Sequence, residues 1–218
     1  MTNQIHFILA ILTILLLQSC AQLSGFQTAR VLPKNEGEIG FTAGGLSTFN
    51  TDDLGGELGI LSAPVVEVFG RIGFGNNFDA GLKVSSTLSG VFDAKWQFVG
   101  DQESKFAMAT GLGLGFQGGA ANAFLMQAHI PLHMSIHPSD RFAVYFSPRY
   151  INQFILGRNI EGANLGYLGM SSGIEAGKKV KFILDFSFFN IVNAGGVDTP
   201  NLFQIGAGAK FRLSGGEE

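Results

Sequence analysis

Three histidines at four-residue intervals, His129, His133 and His137, are the side chains of this 218-residue sequence that first invite chemistry. On a helix that interval would stack the imidazoles on one face, as metal motifs do. In a strand four residues span about 13 Å, too far for two of them to share one metal unaided. The neighbours decide between the two. Phe124, Met126, Ala128, Ile130, Leu132, Met134 and Ile136 alternate with Gln127, His129, His133, Ser135 and His137, a period of two. The histidines read as a polar row on one face of a strand, and neither a metal nor a cofactor is expected.

Two short motifs fail on context. Gly113-Leu114-Gly115-Phe116-Gln117-Gly118 fits G-x-G-x-x-G, but a dinucleotide site needs a helix to begin there, and another strand pattern follows. Gly169-Met170-Ser171-Ser172-Gly173 fits G-x-S-x-G, which needs a strand-to-helix elbow and, in its family, a later histidine. All four histidines precede Ser171. Both motifs read as small residues on a strand face.

The elements that carry these residues are strands. From 36 to 213 the chain shows ten alternating runs, at about 37–49, 64–74, 79–87, 91–99, 106–117, 123–137, 141–151, 163–176, 180–189 and 202–213. The ninth is the cleanest, with Val180, Phe182, Leu184, Phe186 and Phe188 set against Lys181, Asp185 and Ser187. The connections after the second, fourth, sixth and eighth runs are short and turn-like. On the other side three are long: 50–63, 152–162 and 190–201. With an even strand count both chain ends fall on the short-turn side.

The N-terminal residues differ in kind. An apolar run, Phe7 to Leu17, rises about 16 Å as a helix, half of a hydrocarbon core, and suits a signal peptide rather than a span. It ends in Leu17-Gln18-Ser19-Cys20, which resembles a bacterial lipobox, although no Lys or Arg precedes the apolar run. That resemblance implies cleavage after residue 19 and a lipid on Cys20, the only cysteine. Residues 20–35 have no period and contain Pro33, so they read as a lipidated tether; 214–218 read as a tail.

Composition settles which face points outward. The chain holds 31 Gly and 21 Phe with only 14% charged residues, and its mean hydropathy is +0.27. The apolar face of most runs carries four to seven bulky side chains, more than the narrow interior of a ten-strand barrel accepts. The opposite face is Gly, Ala and Ser with interspersed charge, which suits a crowded lumen. The bulky residues must therefore meet lipid, and the sheet must close, because open edges do not survive in hydrocarbon. Over 36–213 this pattern resembles the small bacterial outer-membrane β-barrel proteins. The resemblance implies a closed antiparallel up-and-down barrel, a periplasmic short-turn rim, the outer-membrane bilayer as surroundings, and Phe211 and Leu213 offered to the barrel-assembly machinery. With 14 Lys and Arg against 17 Asp and Glu, nucleic acid is not an expected partner.

The lumen would then be lined by Glu38, Glu67, Arg71, Asp79, Lys83, Asp93, Lys95, His129, His133, Tyr145, Arg149, Glu175, Lys181, Asp185, Lys210 and Arg212. Buried charge is costly unless paired, so internal ion pairs are expected: Glu38 with Lys210 or Arg212, Arg71 with Asp79, Glu175 with Lys181. Mixed signs favour a plugged or narrow lumen. The expected role is structural, or binding through long loops that include Phe154, Ile155, Leu156, Ile191 and Val192, without catalysis. Two alternatives stand beside it: a small pore for ions or solutes, and a barrel enzyme acting on envelope lipid through His129 or His133 with Ser135, Tyr145 or Ser147.

Overall fold

A computed structural model describes residues 23–49, 63–75, 77–118, 123–157, 160–192 and 201–213. The expected signal peptide, Cys20, residues 50–62 and 193–200 and the expected tail 214–218 lie outside the described residues. Ten antiparallel strands form one closed barrel: β1 (Gly37–Phe49), β2 (Ala63–Gly75), β3 (Phe78–Ser85), β4 (Ser89–Val99), β5 (Phe106–Gly118), β6 (Ala123–Ser139), β7 (Phe142–Gly157), β8 (Ile160–Gly177), β9 (Val180–Val192) and β10 (Asn201–Leu213). Each strand pairs with its neighbours in sequence, and β1 closes on β10 from Gly37↔Leu213 to Phe49↔Asn201. No strand of the wall has an open edge.

The period of two becomes two surfaces. Phe41, Val68, Leu82, Phe92, Leu114 and Phe182 stand exposed on the outside, Phe182 at 67% of its full accessible surface. Their sequence neighbours Thr42, Glu67, Lys83 and Lys181 point inward, the first three fully or nearly buried. On β6 the outward apolar row runs from Phe124 to Ile136, about 40 Å along the strand and about 30 Å in height at a tilt near 40°. That height matches the hydrocarbon core of a bilayer, roughly 30 Å.

One connection differs from its sequence reading. The long loop expected over 152–162 is mostly wall: β7 continues to Gly157, β8 begins at Ile160, and those two residues pair. Alternation simply continues, since Gln153 is buried and accepts from Gln127 Nε2 at 3.1 Å, while Phe154 and Leu156 are exposed. Phe154, Ile155 and Leu156 therefore belong to a strand, as do Ile191 and Val192 at the end of β9. The polar pair Asn152-Gln153 opens the stretch expected as a loop; in the barrel Gln153 faces a polar lumen where an amide finds a partner.

Candidate functional site

The lumen is filled by residues 23–33, the segment whose sequence reads as a tether. Leu23, Ser24 and Ala29 are completely buried, and Gly25, Phe26, Thr28 and Val31 nearly so. Buried backbone must be hydrogen-bonded, and an extended segment standing alone cannot bond to itself. Here the side chains of the wall act as its partners. The N–H groups of Phe26, Ala29, Val31 and Leu32 donate to Asp185 Oδ2 (3.2 Å), Ser135 Oγ (3.1 Å), Gln97 Oε1 (2.9 Å) and Asp79 Oδ2 (3.1 Å). On the acceptor side, Lys83 Nζ and Arg149 Nη1 donate to the Ser24 carbonyl at 2.8 and 3.1 Å. Lys95 Nζ donates to the carbonyls of Thr28 and Arg30 at 2.9 and 3.0 Å.

Ser24 is the polar pin of this plug. Its hydroxyl donates to Glu67 Oε1 at 2.8 Å and lies 2.7 Å from Lys83 Nζ, so one small residue engages a carboxylate and two cations. Phe26 is the steric pin. Its ring stacks on luminal Phe69 with centroids 6.5 Å apart and planes 5° from parallel. Phe26 has φ of 49°, a left-handed conformation that costs a phenylalanine about 1 kcal/mol or more and persists only where the surroundings fix it. Two glycines make the room: a Cβ on Gly206 would come within 2.7 Å of Phe26 Cζ, and one on Gly25 within 2.7 Å of Ser171 Cβ. The glycine-rich luminal face is space for a chain.

The luminal residues named from sequence divide into two groups. Glu67, Asp79, Lys83, Lys95, Arg149 and Asp185 hold the plug, and Tyr145 supports them by donating to Asp185 Oδ2 at 2.6 Å. The others tie wall to wall near the short-turn rim. Arg71 bridges Asp79 and Asp93; Lys210 bridges Glu38 (3.3 Å) and Glu175; Lys181 reaches Glu175 at 3.2 Å; Arg212 pairs with Glu36 at the edge. His129 Nε2 lies 3.0 Å from Gln127 Oε1, and His133 Nδ1 lies 2.6 Å from Ser147 Oγ. His137 Nε2 meets Ser135 Oγ at 2.9 Å. The structure thus forms two Ser–His pairs, both buried. Among the described residues no three His, Cys, Asp or Glu side chains form a metal-binding group.

Sequence reasoning missed Ser24, Gln97 and the whole plug, and it weighed Ser135 as a partner of histidine where the structure has it accept the Ala29 N–H. It also missed an apolar stopper at the long-loop end of the lumen, where Leu23 packs with Leu46, Val65, Ile151, Tyr167, Phe189 and Leu202. A signal for the stopper exists: in β7 and β9 apolar residues occur in adjacent pairs, Tyr150-Ile151 and Phe188-Phe189, so both faces are greasy there. Alongside the plug, toward the short-turn rim, a cavity of about 360 Å³ is lined by Arg30, Lys95, Arg141, Glu175, Lys178 and Lys210 among others. In the turn between β4 and β5, the Ser104 hydroxyl and the N–H groups of Glu103 and Ser104 hold the Asp101 carboxyl below the usual aspartate range. The Ser104 carbonyl of that turn receives Arg30 Nη2 at 2.6 Å, which docks the plug to the rim.

A closed wall with an apolar exterior and an ionic interior is that of a small membrane-spanning β-barrel, the class to which outer-membrane barrels belong. No family model matches the chain and no curated protein matches it in sequence. Among solved structures it is similar to Ail, the attachment invasion locus protein of Yersinia pestis, at 10% identity over 83% of this chain and 99% of that one, with a TM-score of 0.39. It is similar to Neisserial surface protein A at 10% identity over 83% and 98% of the two chains, TM-score 0.40. It is also similar to the outer membrane protease OmpT of Escherichia coli, at 9% identity over 82% and 97%, TM-score 0.44. Identities and scores this low assign no role.

Proposed function

We propose that the protein is a bacterial outer-membrane β-barrel lipoprotein, closed by its own N-terminal segment, with a structural or loop-mediated binding role and no catalysis. The observation that carries this reading is the occupied lumen. The cations and carboxylates that would line a conducting path are spent on the plug backbone or on one another, and the apolar stopper seals the long-loop end. A pore needs solvated groups along an open route. A lipid-modifying enzyme needs its Ser–His pair at the membrane boundary, whereas Ser147 and His133 are buried inside. The apolar belt supports a bilayer as the surroundings, and the signal-like start followed by Cys20 supports export and lipidation. Assembly by the barrel-insertion machinery follows from that location.

The test is reconstitution of the full chain, purified with its own N-terminus, into a planar bilayer. A silent protein that co-sediments with outer membranes on a density gradient supports the reading. Steady conductance retires the closed barrel in favour of a small pore, and solubility of the folded sheet without detergent retires the membrane location. Radiolabelled palmitate incorporation, lost on Cys20→Ser, tests the lipid separately.

A further inference from the structure

We infer that the chain threads its own barrel from the long-loop end, so that whatever precedes Leu23, Cys20 with its lipid included, lies on the cell surface, across the membrane from the C-terminus. The cell-surface assignment rests on the reading above, in which short turns face the periplasm; the threading does not.

The direction follows from what each part of the plug touches. Leu23 packs with Leu46, Val65, Phe189 and Leu202, each within three residues of its strand's end at the long-loop rim. Midway, Ala29 donates to Ser135 and Lys95 reaches the carbonyls on either side of Ala29. At the other rim the carbonyls of Leu32 and Pro33 crowd Gly73, and the Asn35 N–H donates to the Gly73 carbonyl at 3.0 Å. There the chain reverses: the Glu36 N–H donates to the Pro33 carbonyl at 3.1 Å and Asn35 takes φ of 64°, which feeds the backbone into β1 at Gly37. Fully extended, Leu23 to Leu32 could cover at most about 30 Å. The left-handed Phe26 shortens that, and it is the contacts at the two rims that show the segment running from one to the other. The plug therefore crosses the membrane inside the wall and makes an eleventh, unpaired traverse.

That odd traverse changes the topology implied by ten strands. The ends of the wall do share a rim, since Gly37 pairs with Leu213. Leu23 does not share it. Cys20 is three residues from Leu23, a reach of at most about 11 Å, so acyl chains on its sulfur would enter the outer leaflet beside the long-loop rim. An even strand count by itself would put that lipid on the short-turn side instead.

Epitope accessibility on intact cells decides it. One short tag is placed between Gln22 and Leu23, a second within loop 193–200, and a third after Leu213. The expected result is antibody labelling of the first two on intact cells, with the third labelled only after permeabilisation. If the first tag behaves like the third, the threading is overturned. If the first two are hidden and the third is exposed, the threading stands and the outward direction of the long loops fails. A cross-link in the purified barrel guards against a tag that blocks entry of the plug. On a Cys20→Ser background, a short bismaleimide should join Leu23→Cys to Leu202→Cys, and Val31→Cys to Gln102→Cys, whose side chain donates to the Val31 carbonyl from the turn between β4 and β5. It should not join Leu23→Cys to Gln102→Cys, and the reverse pattern would refute the proposal.

Discussion

Asp185 on β9 accepts the backbone N–H of Phe26 at 3.2 Å, although 159 residues separate them, and the same oxygen accepts the Tyr145 hydroxyl at 2.6 Å. A wall carboxylate thus occupies the place that a neighbouring strand would take in a sheet. Replacing it with alanine leaves the Phe26 N–H and the Tyr145 hydroxyl buried without that partner, a loss on the order of 1–3 kcal/mol. Asp185→Ala should unfold at lower urea in detergent and should give intermittent openings in a planar bilayer. Asp185→Asn, which keeps one acceptor oxygen, should lose less. Equal unfolding midpoints for all three proteins would show that the plug does not depend on this contact.

Removing the plug should open the barrel. Deletion of residues 23–32 leaves Glu67, Lys83, Lys95, Arg149 and Asp185 facing water in the channel. A silent protein should become a conducting one, with current that falls when luminal Lys95 is changed to Met. The wall should survive, because β1 to β10 close without the plug. Retained heat-resistant sheet by circular dichroism together with unitary current steps is the expected outcome; a silent deletion variant with an intact wall would contradict it.

Gly206 and Phe26 should prove coupled. A valine at position 206 places its Cβ about where the Phe26 ring ends. Gly206→Val should therefore expel the plug, read as new protease cleavage between residues 23 and 32. Phe26→Ala removes the clash, so adding it to Gly206→Val should restore protection in part. A double variant no better protected than Gly206→Val alone would place the ring elsewhere.

The outward face should punish charge. Phe186 stands outward at the midpoint of β9. Phe186→Arg should cost about 2–4 kcal/mol, and Phe182→Arg, beside the short turn, less. Reversible unfolding from lipid vesicles gives the number. A cost near zero, with the same protein stable in plain buffer, would mean that the belt does not meet lipid.

The wall was legible because β-structure writes itself in two phases. Phe182, Phe186 and Phe188 against Lys181, Asp185 and Ser187 fix which side of β9 each residue takes, and a residue's side is all that a strand needs. Arg71 with Asp79 and Glu175 with Lys181 could be named for the same reason: a tight turn between adjacent strands sets their register. The ends of β7 and β8 were less legible, because a polar pair such as Asn152-Gln153 looks alike in a turn and on a luminal face.

The plug was not legible at all. Its residues, Leu23 to Pro33, have no repeat, because they do not alternate between lipid and lumen; every side of that segment faces the lumen. A segment held through its backbone leaves almost no trace in its own side chains. The partners are Lys83, Lys95, Arg149 and Asp185, 59 to 160 residues away, and only closing the barrel brings them around one line. By itself the sequence determined a closed, lipid-facing wall with an ionic, small-residue interior. The tertiary structure decided that the chain fills that interior with itself, because backbone groups carry no sequence signature and find their partners only once the wall has closed around them.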